Sequence, residues 1–171
     1  MHATRIRTPL GIFIAYFSQQ GLARLEFPSD ESARGNTPTH FSAPAAWPPE
    51  IQIRRWHRQT EQALKRTLAG KSPETLPPLD LSAGSPFQQE VWKAMLRIPT
   101  GATKSYAEIA GEIHRPKATR AVGNACGANP IPVLIPCHRV VASGGGLGGF
   151  SCGLHWKERL LKNEGVQLKL R

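Results

Sequence analysis

Hydrophobic and polar residues alternate in the first part of this chain and settle into helical spacing further on. Between residues 4 and 27, Ile12 to Phe17 is a short apolar run and Ala23, Leu25 and Phe27 alternate with Arg24 and Glu26. Thr8-Pro9-Leu10-Gly11 and Gly21 carry turn chemistry, so the pattern predicts a small antiparallel sheet. Residues 29–49 are rich in Ser, Thr, Pro, Ala and Gly without periodicity and read as a surface loop. From Pro49 to Ala69, Ile53, Trp56, Ala63, Leu64, Thr67 and Leu68 recur on one face. Arg54, Arg55, Arg58, Lys65 and Arg66 cover the rest and Gly70 is placed to stop the helix. The proline-containing stretch from Lys71 to Gly84 is the expected boundary between an N-terminal α/β domain, residues 1–80, and a second domain, residues 85–171.

The second domain opens with Ser85 as N-cap, Pro86 in the first helical position and Gln88 completing a capping box. Phe87, Val91, Trp92, Met95 and Leu96 form the core stripe. A second box, Ser105 with Glu108, predicts a short helix from Tyr106 to about Ile113. After a tight turn at His114 and Arg115, Pro116 is read as starting another helix. It buries Ala118, Ala121, Val122 and Ala125 and leaves Lys117, Arg120, Gly123, Asn124 and Gly127 outward. Two short helices joined so briefly predict a helix-turn-helix. The outward face of the second one is mostly small, with one arginine. That suits a backbone approaching a groove and a side chain entering the duplex better than it suits sequence-specific readout. A last helix from Leu154 turns Leu160 and Leu161 inward and ends at Glu164-Gly165. A carboxylate there opposes the helix dipole, so Glu164 is expected to be held by a partner elsewhere.

Candidate chemistry centres on residues 129–141, Asn-Pro-Ile-Pro-Val-Leu-Ile-Pro-Cys-His-Arg-Val-Val. Three prolines exclude a helix and predict a stiff, extended arm that delivers Cys137 to a fixed place, with His138 and Arg139 beside it to favour the thiolate. Gly144, Gly146 and Gly149 match the spacing of a dinucleotide fingerprint, but the residues that remain leave no room for the unit it requires. These glycines instead suit a turn lining a pocket, where backbone can approach a ligand.

The overall composition narrows the partner. Of 171 residues, 40% are hydrophobic, enough for a core; 22 are Lys or Arg against 12 Asp or Glu. The resulting +10 is dispersed along the chain, as expected of a folded surface that meets a polyanion. No basic amphipathic helix or lipidation signal favours a membrane. Three cysteines and no secretory leader point to free thiols in a reducing cytosol or nucleoid.

Arg120-Ala121-Val122-Gly123, Asn129-Pro130, Ile135-Pro136-Cys137-His138-Arg139-Val140, Leu160-Leu161 and Glu164-Gly165 together resemble the O6-alkylguanine-DNA alkyltransferases. The likeness covers residues 85–165; the first domain fits only in its order of sheet then helix. The resemblance implies an RNase H-like α/β domain followed by a mostly helical domain with a winged helix-turn-helix. It implies single-turnover, irreversible repair, in which O6-alkylguanine in double-stranded DNA is flipped out and its alkyl group passes to Cys137. By the same resemblance His138 is the base through a water, Glu164 orients it, Asn129 braces the turn and Tyr106 stands at the guanine edge. Arg120 is the finger that replaces the flipped base, with Lys117, Ala118, Thr119 and Gly123 completing the DNA contact. Pro132, Val140, Gly148, Phe150 and Ser151 make the substrate pocket. Phe150 stands where many relatives carry tyrosine, which takes a hydroxyl from the pocket wall and leaves the tolerance of bulky alkyl groups open. No cofactor or metal is implied, and the first domain has no cysteine for the zinc some relatives hold there. The protein is expected to act as a monomer, with O4-alkylthymine repair and cooperative binding along DNA left open.

The rival readings are weaker. Adjacent side chains on an extended segment point apart, which disfavours the direct Cys-His pair of a hydrolase. Cys126, Cys137 and Cys152 lack zinc-ligand spacing, and Cys126 and Cys152 read as packing residues. A lesion sensor without transfer is the non-enzymatic rival; an intact Cys137 speaks against it.

Overall fold

The computed structural model describes residues 1–29, 48–144 and 146–167. β1 (His2–Thr8), β2 (Gly11–Phe17) and β3 (Leu22–Glu26) form an antiparallel meander in the order β1-β2-β3, as the alternation predicts. A register shift at Tyr16/Phe17 changes which residues of β3 face inward. Leu22 and Leu25 are buried, three apart, while Ala23 and Phe27 are only half-buried, because a bulge breaks the strict period of two. α1 (Glu50–Leu68) packs on this sheet with Ile53, Trp56, Thr60, Ala63, Leu64, Thr67 and Leu68, the predicted face with Thr60 added. Thr60 is accommodated because its hydroxyl donates to the Trp56 carbonyl one turn back, at 2.8 Å. Most of the loop expected over residues 29–49 lies outside the described residues.

α2 (Pro86–Leu96) and α3 (Tyr106–Glu112) both begin with complete capping boxes, Ser85 with Gln88 and Ser105 with Glu108. α4 (Thr119–Gly127) corrects the expected helix start. Pro116 sits in a turn closed by the Ala118 N–H on the Arg115 carbonyl, and Ala118 is the N-cap. Within it Val122, Ala125 and Cys126 are buried and Ala121, expected on the buried face, is exposed.

The arm leading to Cys137 is also not extended. Ile135 N–H returns to the Ile131 carbonyl, Pro132 bridges Ile135, and Cys137–Arg139 form a 3-10 turn. Prolines fix φ near values that turns share with extended chain, so they exclude helix without excluding turns. Val133 takes φ +76°, a strained value for a β-branched residue.

After the turn, β5 (Val140–Val141) pairs in parallel with β4 (Lys104–Ser105), which fixes the exit from Cys137 beside the start of α3. α5 (Leu154–Asn163) closes the fold, and one continuous apolar cluster runs from Ile6 through Trp92 and Ile135 to Leu160. Among the described residues no helix is long and apolar enough to cross a membrane.

Candidate active site

Cys137 begins the 3-10 turn and lines a cavity of about 640 Å³, a volume suited to a small-molecule-sized guest. The other walls are Tyr106 from the start of α3, Thr119, Arg120, Gly123, Asn124, Cys126 and Gly127 from α4, and Gly149, Phe150 and Ser151 from the glycine-rich loop. Of the predicted residues, the fold therefore brings Cys137, Tyr106, Thr119, Arg120, Gly123, Phe150 and Ser151 around one space.

His138 and Glu164 lie behind it. The imidazole is fully buried, and its Nε2 is 2.9 Å from Glu164 Oε1. Arg139 places Nε and Nη2 on the same carboxylate at 2.9–3.2 Å and donates further to the Ile98 carbonyl at 2.6 Å and Thr100 Oγ1 at 3.0 Å. The Gly101 N–H adds a fourth donor at 3.2 Å. Burial works to raise the Glu164 pKa, but the hydrogen bonds from His138 and Arg139 outweigh it and hold the carboxyl at about 2. An ionised carboxylate only accepts, so His138 donates from Nε2 and keeps Nδ1 as an acceptor. That Nδ1 is buried and meets no hydrogen-bond partner among the described residues. Burial, aided by the charges of Arg139 and Lys157, lowers the His138 pKa despite Glu164, which leaves a neutral imidazole able to take a proton.

The environment of the thiol differs from the one expected. Burial pushes Cys137 up to about 11; the Asn129 side chain and the charge of Lys157 act against that rise. Arg139 is spent on Glu164 and His138 is neutral, so neither flanking residue supplies the cation that the sequence suggested. Lys157 does, and the sequence reading missed it. It is fully buried on the inward face of α5, with Nζ 2.6 Å from the Val140 carbonyl and also on the Leu147 carbonyl. Burial lowers its pKa to about 8, with Cys137 and Cys126 acting the other way. The signal was present: Lys157 stands three residues before Leu160, on the stripe that carries Leu161 and Glu164 inward.

Asn129 spans the turn that presents Cys137, with Nδ2 donating to the Ile135 carbonyl at 2.8 Å and Oδ1 accepting from Ile131 N–H at 3.0 Å. Tyr106 remains a phenol at neutral pH, because burial first, and then the nearby Cys126, raise its pKa.

Five predicted contact residues are not among those lining the cavity. Pro132 is buried in its turn, and Val140 is buried with its carbonyl already accepting from Lys157. Gly148, at φ +68°, stands against the phenol rather than in the cavity lining: a Cβ there would lie 2.7 Å from Tyr106 Oη. Lys117 and Ala118 precede α4 and line a separate shallow surface with Arg115 and Pro116. Cys126 was expected only to pack; it does so, with Sγ 3.5 Å from Met95 Sδ, and it also lines the cavity.

Comparison with known proteins gives a consistent result. The family model described as 6-O-methylguanine DNA methyltransferase, DNA binding domain, matches residues 86–166. The methylated-DNA–protein-cysteine methyltransferase of Methanosarcina barkeri is 37% identical over 172 residues, which cover 99% of this chain and 100% of that protein. The protein of that name from Mycobacterium tuberculosis is 50% identical over 101 residues, 59% of this chain and 61% of its own length. Among solved structures, Mycobacterium tuberculosis OGT in complex with DNA superposes with a TM-score of 0.75 at 35% identity, covering 96% of this chain and 92% of that one.

Proposed function

Because this chain belongs to the methylated-DNA–protein-cysteine methyltransferase family, we propose that Cys137 is its alkyl acceptor and the cavity around it the pocket for a flipped guanine. The reaction is repair of O6-methylguanine in DNA by methyl transfer to a protein cysteine. The observation that carries the residue assignment is the single cavity that Cys137 shares with Tyr106 and with the Arg120 face of α4.

The step is a displacement at the O6-methyl carbon. The S–C bond forms as the O6–C bond breaks, and the electron pair of the broken bond stays on guanine. The thiol proton goes to His138 Nδ1 by way of a water, since side chains one residue apart in a 3-10 turn point about 120° from each other. Glu164 stabilises the imidazolium that results. Lys157 supports the thiolate, which offsets part of the cost of a charge at a buried sulfur. The guanine takes a proton from the Tyr106 phenol, and the proton held on His138 returns to that phenol through solvent, so charge balances over the turnover. Arg120, exposed on α4, fills the space left in the duplex, with Thr119 and Gly123 beside it. On this reading the protein acts as a monomer on nucleoid DNA in the cytosol. Its domains are residues 1–80 and 85–171, the second carrying all the chemistry.

The test is peptide mapping by mass spectrometry after incubation with a duplex carrying one O6-methylguanine. One methyl on the Cys137 peptide, absent with undamaged duplex and absent in Cys137→Ser, is expected. DNA binding without any adduct would replace repair with lesion sensing, and an adduct on another cysteine would move the acceptor. Arg120→Ala should slow transfer from the duplex more than transfer from the free alkylated base, since only the duplex requires flipping; equal losses would remove the finger role.

A further inference from the structure

Phe150, the apolar wall of the cavity, is backed by a residue that belongs to the opposite end of the chain. Its ring meets Phe27, just beyond β3, edge-on at 6.2 Å between centroids and 84° between planes. Phe27 in turn packs on Trp156 of α5 at 4.7 Å and on Phe13 of β2 at 5.3 Å, and Phe13 meets Trp156 at 6.0 Å. Four rings thus form a continuous stack from the sheet to the pocket wall, and Phe27 is the one that touches the other three. The loop that carries Phe150 is also held by Lys157 on the Leu147 and Gly149 carbonyls and by the Gly153 N–H on the Phe150 carbonyl. Both tie the backbone; the aromatic contact of the Phe150 ring is with Phe27.

From this geometry we infer that Phe27 is a specificity-determining residue, which sets the position of the Phe150 wall and through it the size of alkyl group the pocket accepts. The inference rests on the proposed pocket and deepens it. Phe27 does not itself line the cavity and reaches it only through Phe150, so it acts on the reaction by positioning that side chain. An aromatic pair held edge-on has a preferred geometry, and a well-packed ring leaves little room to swing. Removing the Phe27 ring therefore frees Phe150 to retreat, which favours a bulky alkyl group over methyl.

The experiment compares transfer rates from duplexes carrying one O6-methylguanine or one O6-benzylguanine, for wild type, Phe27→Ala, Phe27→Leu, Phe150→Ala and Phe27→Ala/Phe150→Ala. Phe27→Ala is expected to raise the benzyl-to-methyl rate ratio about tenfold, the scale of a modest change in an apolar pocket. Phe27→Leu, the milder change, should raise it less and serves if the alanine variant does not fold. In the Phe150→Ala background the Phe27 substitution should leave the ratio unchanged, because the wall it positions is gone. A purely structural role would lower both rates together and leave the ratio alone, and that result overturns the inference. So does a Phe27 effect that persists in full without Phe150. Absence of any transfer by the wild type would instead remove the proposed function.

Discussion

Every side chain that lines the cavity comes from residues 106–151, whereas residues of the N-terminal sheet and helix reach the site only from behind. Their contacts are few and specific. Leu25 N–H of β3 donates to the Pro130 carbonyl at 2.9 Å, next to the Asn129 brace. Phe27 backs Phe150, and Asn163 Nδ2 at the end of α5 donates to the Leu68 carbonyl of α1 at 2.8 Å, one residue before Glu164. The C-terminal part thus carries the reacting groups, and the N-terminal part holds three of their supports. A substitution that looks remote in sequence can therefore act on the thiol, and substitutions in the two regions should differ in kind as well as in size.

The largest effect is expected within the reacting region, at Glu164→Ala. Arg139 is 6% exposed and its ion pair is with this carboxylate, so the variant leaves a buried charge uncompensated at a cost of about 3–5 kcal/mol. Urea unfolding at pH 7 measures it. The pH dependence gives a second check. The folded-state pKa of Glu164, about 2, lies below its usual 4.5, so its contribution is complete above pH 4.5 and is lost as the pH falls toward 2. His138 adds to the same trend below its usual 6.5, because the unfolded chain accepts a proton that the buried ring resists. Wild type should lose stability steeply in acid, and Glu164→Gln should lose the part between pH 4.5 and 2. An unchanged acid limb would mean that the carboxylate is not held as described.

Gly70→Ala is the matching break in the other region. Gly70 follows α1 with φ +73°, and a Cβ there would lie 1.9 Å from the Asn163 carbonyl oxygen, a backbone atom with little room to move. The clash and the backbone strain together should cost about 3 kcal/mol. Transfer should fall as well, because Asn163 adjoins Glu164 in the chain. Full activity in a destabilised Gly70→Ala would show that α1 supports the fold without supporting the site.

Lys157→Met sharpens the comparison by asking how much the buried cation adds. At pH 7 the ammonium is charged, and its burial outweighs the groups that favour the charge. Its folded-state pKa of about 8, below the usual 10.5, means that the unfolded chain binds the proton more tightly; wild type should gain stability relative to Lys157→Met as the pH rises from 8 to 10.5, on the order of 1–3 kcal/mol. The thiols oppose this in both proteins: Cys137 at about 11 and Cys126 at about 12 sit above 9.0, so their stabilising effect fades above pH 9. The difference between the two pH curves reports the lysine together with its coupling to the two thiols. A flat difference would place Nζ in water.

What the sequence disclosed follows the same division. Capping boxes at Ser85 and Ser105, the apolar face of α1 and the Cys137-His138 motif are local patterns, and local patterns are legible because neighbouring residues alone produce them. The start of α4 is not legible, because Pro116 satisfies the first position of a helix and of a turn equally well. The prolines before Cys137 suit extended chain and turn alike for the same reason, and nothing in the composition of the arm announces Val133 at φ +76°. Lys157, Gly70 and the Phe27 stack acquire meaning only when distant segments meet. The glutamate at an unfavourable helix end was the one long-range contact that announced itself, since its local cost called for a partner.

The smallest effect belongs to Gly111→Ala, which separates the support role of Gly70 from glycine chemistry in general. Gly111 lies within α3 on an exposed face, with nothing within 4 Å of where its Cβ would stand. Alanine there restricts the unfolded chain and favours the helix, so a gain of about 0.5–1 kcal/mol is expected, read as a higher urea midpoint with an unchanged slope. The same substitution therefore has opposite signs 41 positions apart, and the Asn163 contact together with the positive φ of Gly70 accounts for the reversal. Destabilisation at both positions would mean that the loss at Gly70 does not report on how the N-terminal helix meets α5. A gain at Gly111 beside a loss of stability and transfer at Gly70 would locate that loss at the junction behind Glu164.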